Sequence, residues 1–115
     1  NRTFIAGEDL SAAQFKFVTL EADGQVDLAD SAGENAMGVC LAGAAAGNAV
    51  TVCVSGSVMV EAGGTIAAGA QVQTGADGTA LLAATGDVVL GYAREAGVDG
   101  QIIEIEMIQG GNVAA

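Results

Sequence analysis

The sequence predicts an all-β chain, a small β-barrel or sandwich built from two duplicated double-hairpin halves. Three observations predict it. Glycines and Asp-Gly pairs recur at short intervals, at Asp23-Gly24, Ala46-Gly47, Ser55-Gly56, Gly63-Gly64, Asp77-Gly78 and Asp99-Gly100. Segments rich in Val and Ile lie between them, the pattern of strands joined by tight turns. No segment sustains a helical apolar period, because the Ala-rich stretches 42–46 and 67–70 are broken by Gly. The third observation is an internal repeat. Residues 34–54 lie over residues 87–107 at a constant offset of 53, placing Gly38 on Gly91, Gly47 on Gly100, and Val50, Val52 and Val54 on Ile103, Ile105 and Met107. Upstream the offset becomes 54, with Val18 on Val72, Asp23-Gly24 on Asp77-Gly78 and Leu28 on Leu82.

Taken in order, residues 1–9 read as an N-terminal arm or first edge strand, outside the repeat. Strands follow near 15–20, 25–29, 36–42, 48–54, 57–62, 70–74, 80–83, 87–95 and 101–108. They make one β domain over 10–109, with halves of about 10–62 and 63–109, and a C-terminal tail at 110–115. A two-residue turn at Asp99-Gly100 would set Tyr92 opposite Met107 and Leu90 opposite Gln109. Val88, Leu90 and Tyr92 would then share a core face with Ile103, Ile105 and Met107, leaving Glu104 and Glu106 outward. Carried to the first half, this register puts Met37, Val39 and Leu41 inside with Val50, Val52 and Val54. It also sets Cys40 opposite Cys53 on the outer face, where the pair would bond if oxidised or be covered by a neighbouring subunit.

Composition bounds the function. The 115 residues hold 14 acidic side chains against Arg2, Lys16 and Arg94, a net charge of −11 with no His. Nucleic acid and anionic membranes would be repelled, and no apolar run is long enough to span a bilayer. No secretion leader opens the chain. Without His, the usual triads, most zinc sites and the commonest general base are missing. The carboxylates match no EF-hand or nonapeptide calcium spacing. No phosphate-binding lysine follows the Gly-rich stretches. The sequence therefore predicts no catalytic residue, no metal and no cofactor. The surface is what remains. Arg2, Thr3, Phe4 and Ile5 form a segment that can dock on another chain as an added strand, or tuck against its own domain.

The order GEDLSAAQFKFVTLEADGQVDLA, then GENAMGVCLAGAAAGNAVTVCVSGSVMVEAGGTIAAGAQVQTGADG, then GDVVLGYAREAGVDGQIIEIEM resembles small tailed-phage capsid decoration, or cement, proteins over roughly residues 7–108. The resemblance implies a β-tulip or β-clip fold and no enzymatic activity. It implies homotrimers on the outer surface of an expanded HK97-type icosahedral shell, at three-fold and quasi-three-fold sites, made in the bacterial host cytoplasm and stabilising the capsid. The partners it implies are the major capsid protein and the chain itself, with Arg2–Ile5 as the positions available for an anchoring arm. The alternative from the residues alone is a ligand- or carbohydrate-binding module of adhesin type. Four aromatic rings in the whole chain make poor sugar platforms.

Overall fold

The computed structural model describes residues 2–84 and 86–108. The tail expected at 110–115, and Gln109 with it, lie outside the described residues. Ten strands and no helix are found among them. In chain order they are β1 (Arg2–Ile5), β2 (Phe17–Leu20), β3 (Val26–Leu28), β4 (Gly38–Ala42), β5 (Ala49–Cys53), β6 (Gly56–Glu61), β7 (Gln71–Thr74), β8 (Ala80–Leu82), β9 (Gly91–Ala93) and β10 (Ile102–Met107). Each strand after the first falls within or next to a segment expected from the spacing of turns and β-branched residues.

The strands form two five-stranded antiparallel sheets with one topology, β1-β5-β4-β2-β3 and β6-β10-β9-β7-β8. Each sheet curls until its first strand meets its last. A parallel bridge at Ala6–Val26 closes the first, and one at Ala62–Ala80 closes the second. The duplication extends to single hydrogen bonds. Gly7 donates to the Val26 carbonyl at 2.8 Å as Gly63 donates to that of Ala80, also at 2.8 Å, and Leu10 donates to Ala44 as Ile66 does to Gly97. This equivalence corrects two expectations. The segment Arg2–Ile5 is not outside the repeat but is the counterpart of β6. The chain also passes from one sheet to the other at 54–55, not at 62–63.

One position shows how strictly the backbone was copied. Phe15 has a φ of 67°, where its counterpart in the second half, Gly69, has 83°. A left-handed conformation costs a β-carbon-bearing residue roughly 1–2 kcal/mol. The first half tolerates it because the loop's bonds repeat those of the second, with the Phe15 N–H on the Cys40 carbonyl and the Gly69 N–H on that of Ala93.

Two cores result. The smaller lies inside the first half and joins Ala6, Leu10, Ala13, Val18, Val26, Cys40, Val50 and Val52. The larger contains the equivalent interior of the second half, including Val60, Ile66, Val72, Ile103 and Ile105, together with Phe17, Ala29, Val39 and Cys53 from the first half. The first sheet is therefore apolar on both faces, one lining its own interior and one packing on the other half. Main-chain bonds tie the halves as well. Phe17 N–H donates to the Gly78 carbonyl at 2.8 Å, and Gly33 N–H to that of Thr74 at 3.0 Å.

The Gly78 turn gives a test of this contact. A β-carbon at Gly78 would lie 2.7 Å from Leu28 Cδ1 and 3.1 Å from the Phe17 carbonyl oxygen, whereas its counterpart Gly24 has open space and nearly the same φ, 85° against 81°. Both Ala substitutions carry the strain of positive φ, and only Gly78→Ala also disturbs the packing of the halves. Gly78→Ala is expected to destabilise by about 1–2 kcal/mol more than Gly24→Ala in urea titration. Equal losses would show that the turn is not part of the contact.

Candidate interaction surface

The register places the expected site residues differently from the sequence reading. Val39 pairs with Cys53 and Cys40 with Val52, while Ala42 pairs with Thr51, the shift coming from a bulge at Leu41. Beyond the bulge every partner moves by one residue, and one residue of slip exchanges the two faces. Cys40 thus points into the first half's interior beside Val50 and Val52, and Cys53 faces the shared core. Cys40 and Cys53 are both buried free thiols on opposite faces, so the expected outward, directly opposed pair is corrected. Burial pushes the Cys40 thiol above its usual range, the reverse of what a nucleophile needs. The second half slips in the same way, with Tyr92 opposite Glu106 and Ala93 opposite Ile105. Tyr92 is exposed and Ala93 takes the core position expected for it. Met107 and Leu90 are buried as expected, and Glu106 faces solvent.

Arg2–Ile5 forms an edge strand paired with β5, Phe4 facing Val50 and Thr3 facing Thr51. Phe4 packs on the first half's interior, while Arg2, Thr3 and Ile5 are exposed. Period-2 alternation turns Thr3 and Ile5 outward, whereas Arg2 lies on the face of Phe4 and is exposed at the start of the strand. The surroundings of this edge are unusual for so acidic a chain, since residues 35–60 contain no charged side chain at all and β1 contributes only Arg2. The strands β1, β5 and β4 therefore present a neutral flank with a single cation at its border.

The opposite flank holds the acid. Glu8, Glu21, Asp27, Asp30 and Glu34 line a cleft of about 370 Å³ beside β3. Glu8 accepts from the Leu28 N–H at 2.8 Å, and Glu34 accepts from the N–H groups of Asp30 and Ser31, each at 2.9 Å. These two carboxylates serve as acceptors for backbone N–H groups of β3 and of the loop after it. Among the described residues no group of three or more His, Cys, Asp or Glu is arranged to hold a metal ion. Asp27 differs from its neighbours. Its Oδ1 is buried with no hydrogen-bond partner among the described residues, and a β-carbon on Gly7 would overlap it. Desolvation first, then repulsion from Glu8, Glu21, Asp23 and Asp30, pushes the Asp27 carboxyl above its ordinary value of 3.8.

A raised carboxyl favours the protonated form in the folded chain. The penalty is absent below the unfolded value near 3.8 and grows as pH rises through the higher folded value. Asp27→Asn is therefore expected to raise the thermal midpoint at neutral pH and to leave it unchanged well below pH 4. A lowered midpoint at pH 7 would contradict this account. Asp77 behaves oppositely, because the Thr79 hydroxyl 2.6 Å away and the Thr79 N–H hold it below its usual range. Its contribution is lost as pH falls through that depressed value.

The outer face of the second sheet completes the inventory. Exposed Met59, Tyr92 and Ile102 share it with an ionic group around Arg94. Arg94 donates to Ser57 Oγ at 2.8 Å and lies 3.6 Å from Glu104 and 3.9 Å from Glu106. Such exposed pairs contribute at most about 1 kcal/mol each, so they orient the surface more than they stabilise it. The arrangement offers flat sheet faces, a neutral edge and shallow acidic concavities, and no convergent set of reacting groups among the described residues.

Comparison with known proteins agrees with that chemistry. No curated protein is significantly similar in sequence. Among solved structures, the chain is similar to the crystal structure of the head fiber gp8.5 N base of bacteriophage phi29. The TM-score is 0.74 at 21% identity, covering 93% of this chain and 92% of that one. At that identity the likeness speaks for the fold. The profile of the phage cement proteins matches residues 4–107, from within β1 to the end of β10. The chain belongs to the phage cement protein family, structural proteins of the virion surface.

Proposed function

We propose that the chain is a decoration protein that binds the outer surface of an expanded HK97-type icosahedral capsid as trimers, at three-fold and quasi-three-fold sites, and stabilises the shell. The observation that carries this reading is the family match over residues 4–107, on a scaffold whose exposed features are sheet faces and edges. The physical logic is mass action, since a protein that binds the expanded lattice and not its precursor lowers the free energy of the expanded state. Many copies on a symmetric lattice need only modest, repeated contacts. High negative charge keeps a concentrated protein soluble. The neutral flank around Arg2, Thr3 and Ile5 is where a partner surface can approach with least like-charge repulsion, and β1, which ends the sheet order and is bridged to the last strand just past its end, at Ala6, can accept an added strand along Arg2–Ile5.

Titrating purified protein onto undecorated expanded capsids should give saturable binding and a higher temperature of shell disruption. Binding to neither precursor nor expanded shells would remove the proposal. Arg2→Glu is expected to weaken that binding by about tenfold, the effect of roughly 1.4 kcal/mol at an interface charge, with the thermal midpoint of the free protein unchanged. An unaltered affinity would place the capsid contact elsewhere.

A further inference from the structure

We infer that copies of this chain associate head to tail, the second half of one copy docking on the first half of the next through the same contact that joins the two halves within a chain. The inference rests on the self-association in the proposed function and specifies its surface. Because the halves share one fold, each side of the internal contact exists twice, once buried and once open.

On the docking side, Phe17 and Val39 are fully buried against the second half, and Leu28 reaches the Gly78 turn. Their counterparts in the second half are Gln71, Tyr92 and Leu82, and all three are exposed, Tyr92 at 39% and Leu82 at 55%. On the receiving side, Thr74 is fully buried and takes a hydrogen bond from Gly33, and Gly78 takes one from Phe17. The counterparts in the first half are Leu20, 48% exposed, and Gly24, which has nothing within 4 Å of an added β-carbon.

Three of the chain's large exposed apolar side chains, Leu20, Leu82 and Tyr92, thus stand where the repeat says a half-to-half contact belongs. Isolated exposed leucines need no explanation, but these fall on both sides of one existing interface and on equivalent positions of it. The occupant is a second copy, because the complementary surface is the one this chain already carries. Replacement of Phe17 by Gln71 and of Cys53 by Glu106 makes the open version more polar than the buried one, as suits a face that is wet before assembly. A contact of this kind is heterologous, so successive copies form a ring if the rotation closes.

The test uses Leu20→Glu and Leu82→Glu in the full chain. Wild type should sediment as an oligomer of the 11.1 kDa chain, and each variant alone as a monomer with a wild-type circular dichroism spectrum. An equimolar mixture should give a one-to-one pair, because each variant keeps the face that the other lost. The milder Leu20→Gln and Leu82→Gln repeat the experiment should either Glu variant fold poorly. Wild type that stays monomeric at its highest soluble concentration overturns the inference, as do variants that keep the wild-type oligomer or a mixture that stays monomeric. Capsid binding of the monomeric variants is measured separately, so loss of self-association and loss of the capsid contact read out independently.

Discussion

Phe17→Ala is expected to lower stability by about 3–5 kcal/mol, the range for removing a buried aromatic ring. Phe17 is fully buried in the core that both sheets share, and its N–H donates to the Gly78 carbonyl at 2.8 Å. Removing the ring opens a cavity between the halves, where two curled sheets cannot collapse as readily as loose side chains would. Domains of this size are held by roughly 5–15 kcal/mol, so the loss consumes a large part of the total. The thermal midpoint should fall by roughly 10–20 °C. Val98→Ala is the control, since a valine 57% exposed and outside the half-to-half contact should shift stability by no more than about 0.5 kcal/mol. A Phe17→Ala loss below about 1 kcal/mol would mean that the halves do not depend on this ring.

The second large effect is expected at the paired glycines Gly38 and Gly91. A β-carbon at Gly38 would come within 2.2 Å of the Cys53 carbonyl oxygen, and one at Gly91 within 2.3 Å of that of Glu106. Both obstacles are backbone atoms of the neighbouring strand and cannot swing aside. Val is a favoured strand residue, so intrinsic propensity alone would make Gly38→Val or Gly91→Val stabilising. Sterics decide otherwise, because the strands β4–β5 and β9–β10 would have to separate. We expect each substitution to cost about 3 kcal/mol, the upper end for overpacking a core, read as a fall in the urea midpoint. Stabilisation by either Val would show that strand propensity outweighs the close approach. The two sites sit at the same place in the repeat, which explains why Gly appears at both while flanking positions diverged.

How much of this was legible depended on the kind of information. Strand positions were, because turns at Asp23-Gly24, Asp77-Gly78 and Asp99-Gly100 and the β-branched runs between them are local features. The register was not. The bulge at Leu41 inserts one residue with no sequence signal of its own, and it moved Cys40 from the expected outer face to the interior. The equivalent slip exchanged Tyr92 and Ala93. The role of Arg2–Ile5 within the repeat was hidden too, since β1 and β6 share almost no side chains and are related by hydrogen bonding. For the interaction surface, the uncharged run 35–60 is plain in the sequence, but its meeting with β1 required the sheet order.

The sequence by itself determined that the chain is all-β, that it is an internal duplication, that it carries no recognisable catalytic set, and that it resembles phage cement proteins. These follow from period, spacing and residue inventory, which are properties of short segments. Only the tertiary structure decided which face of each strand is buried and how the first sheet came to be covered on both sides. It also decided that one copy of the half-to-half surface is used within the chain while the other stands open. The physical reason is that a side chain's environment is set by partners distant in sequence, and a single inserted residue reverses it without changing any local preference.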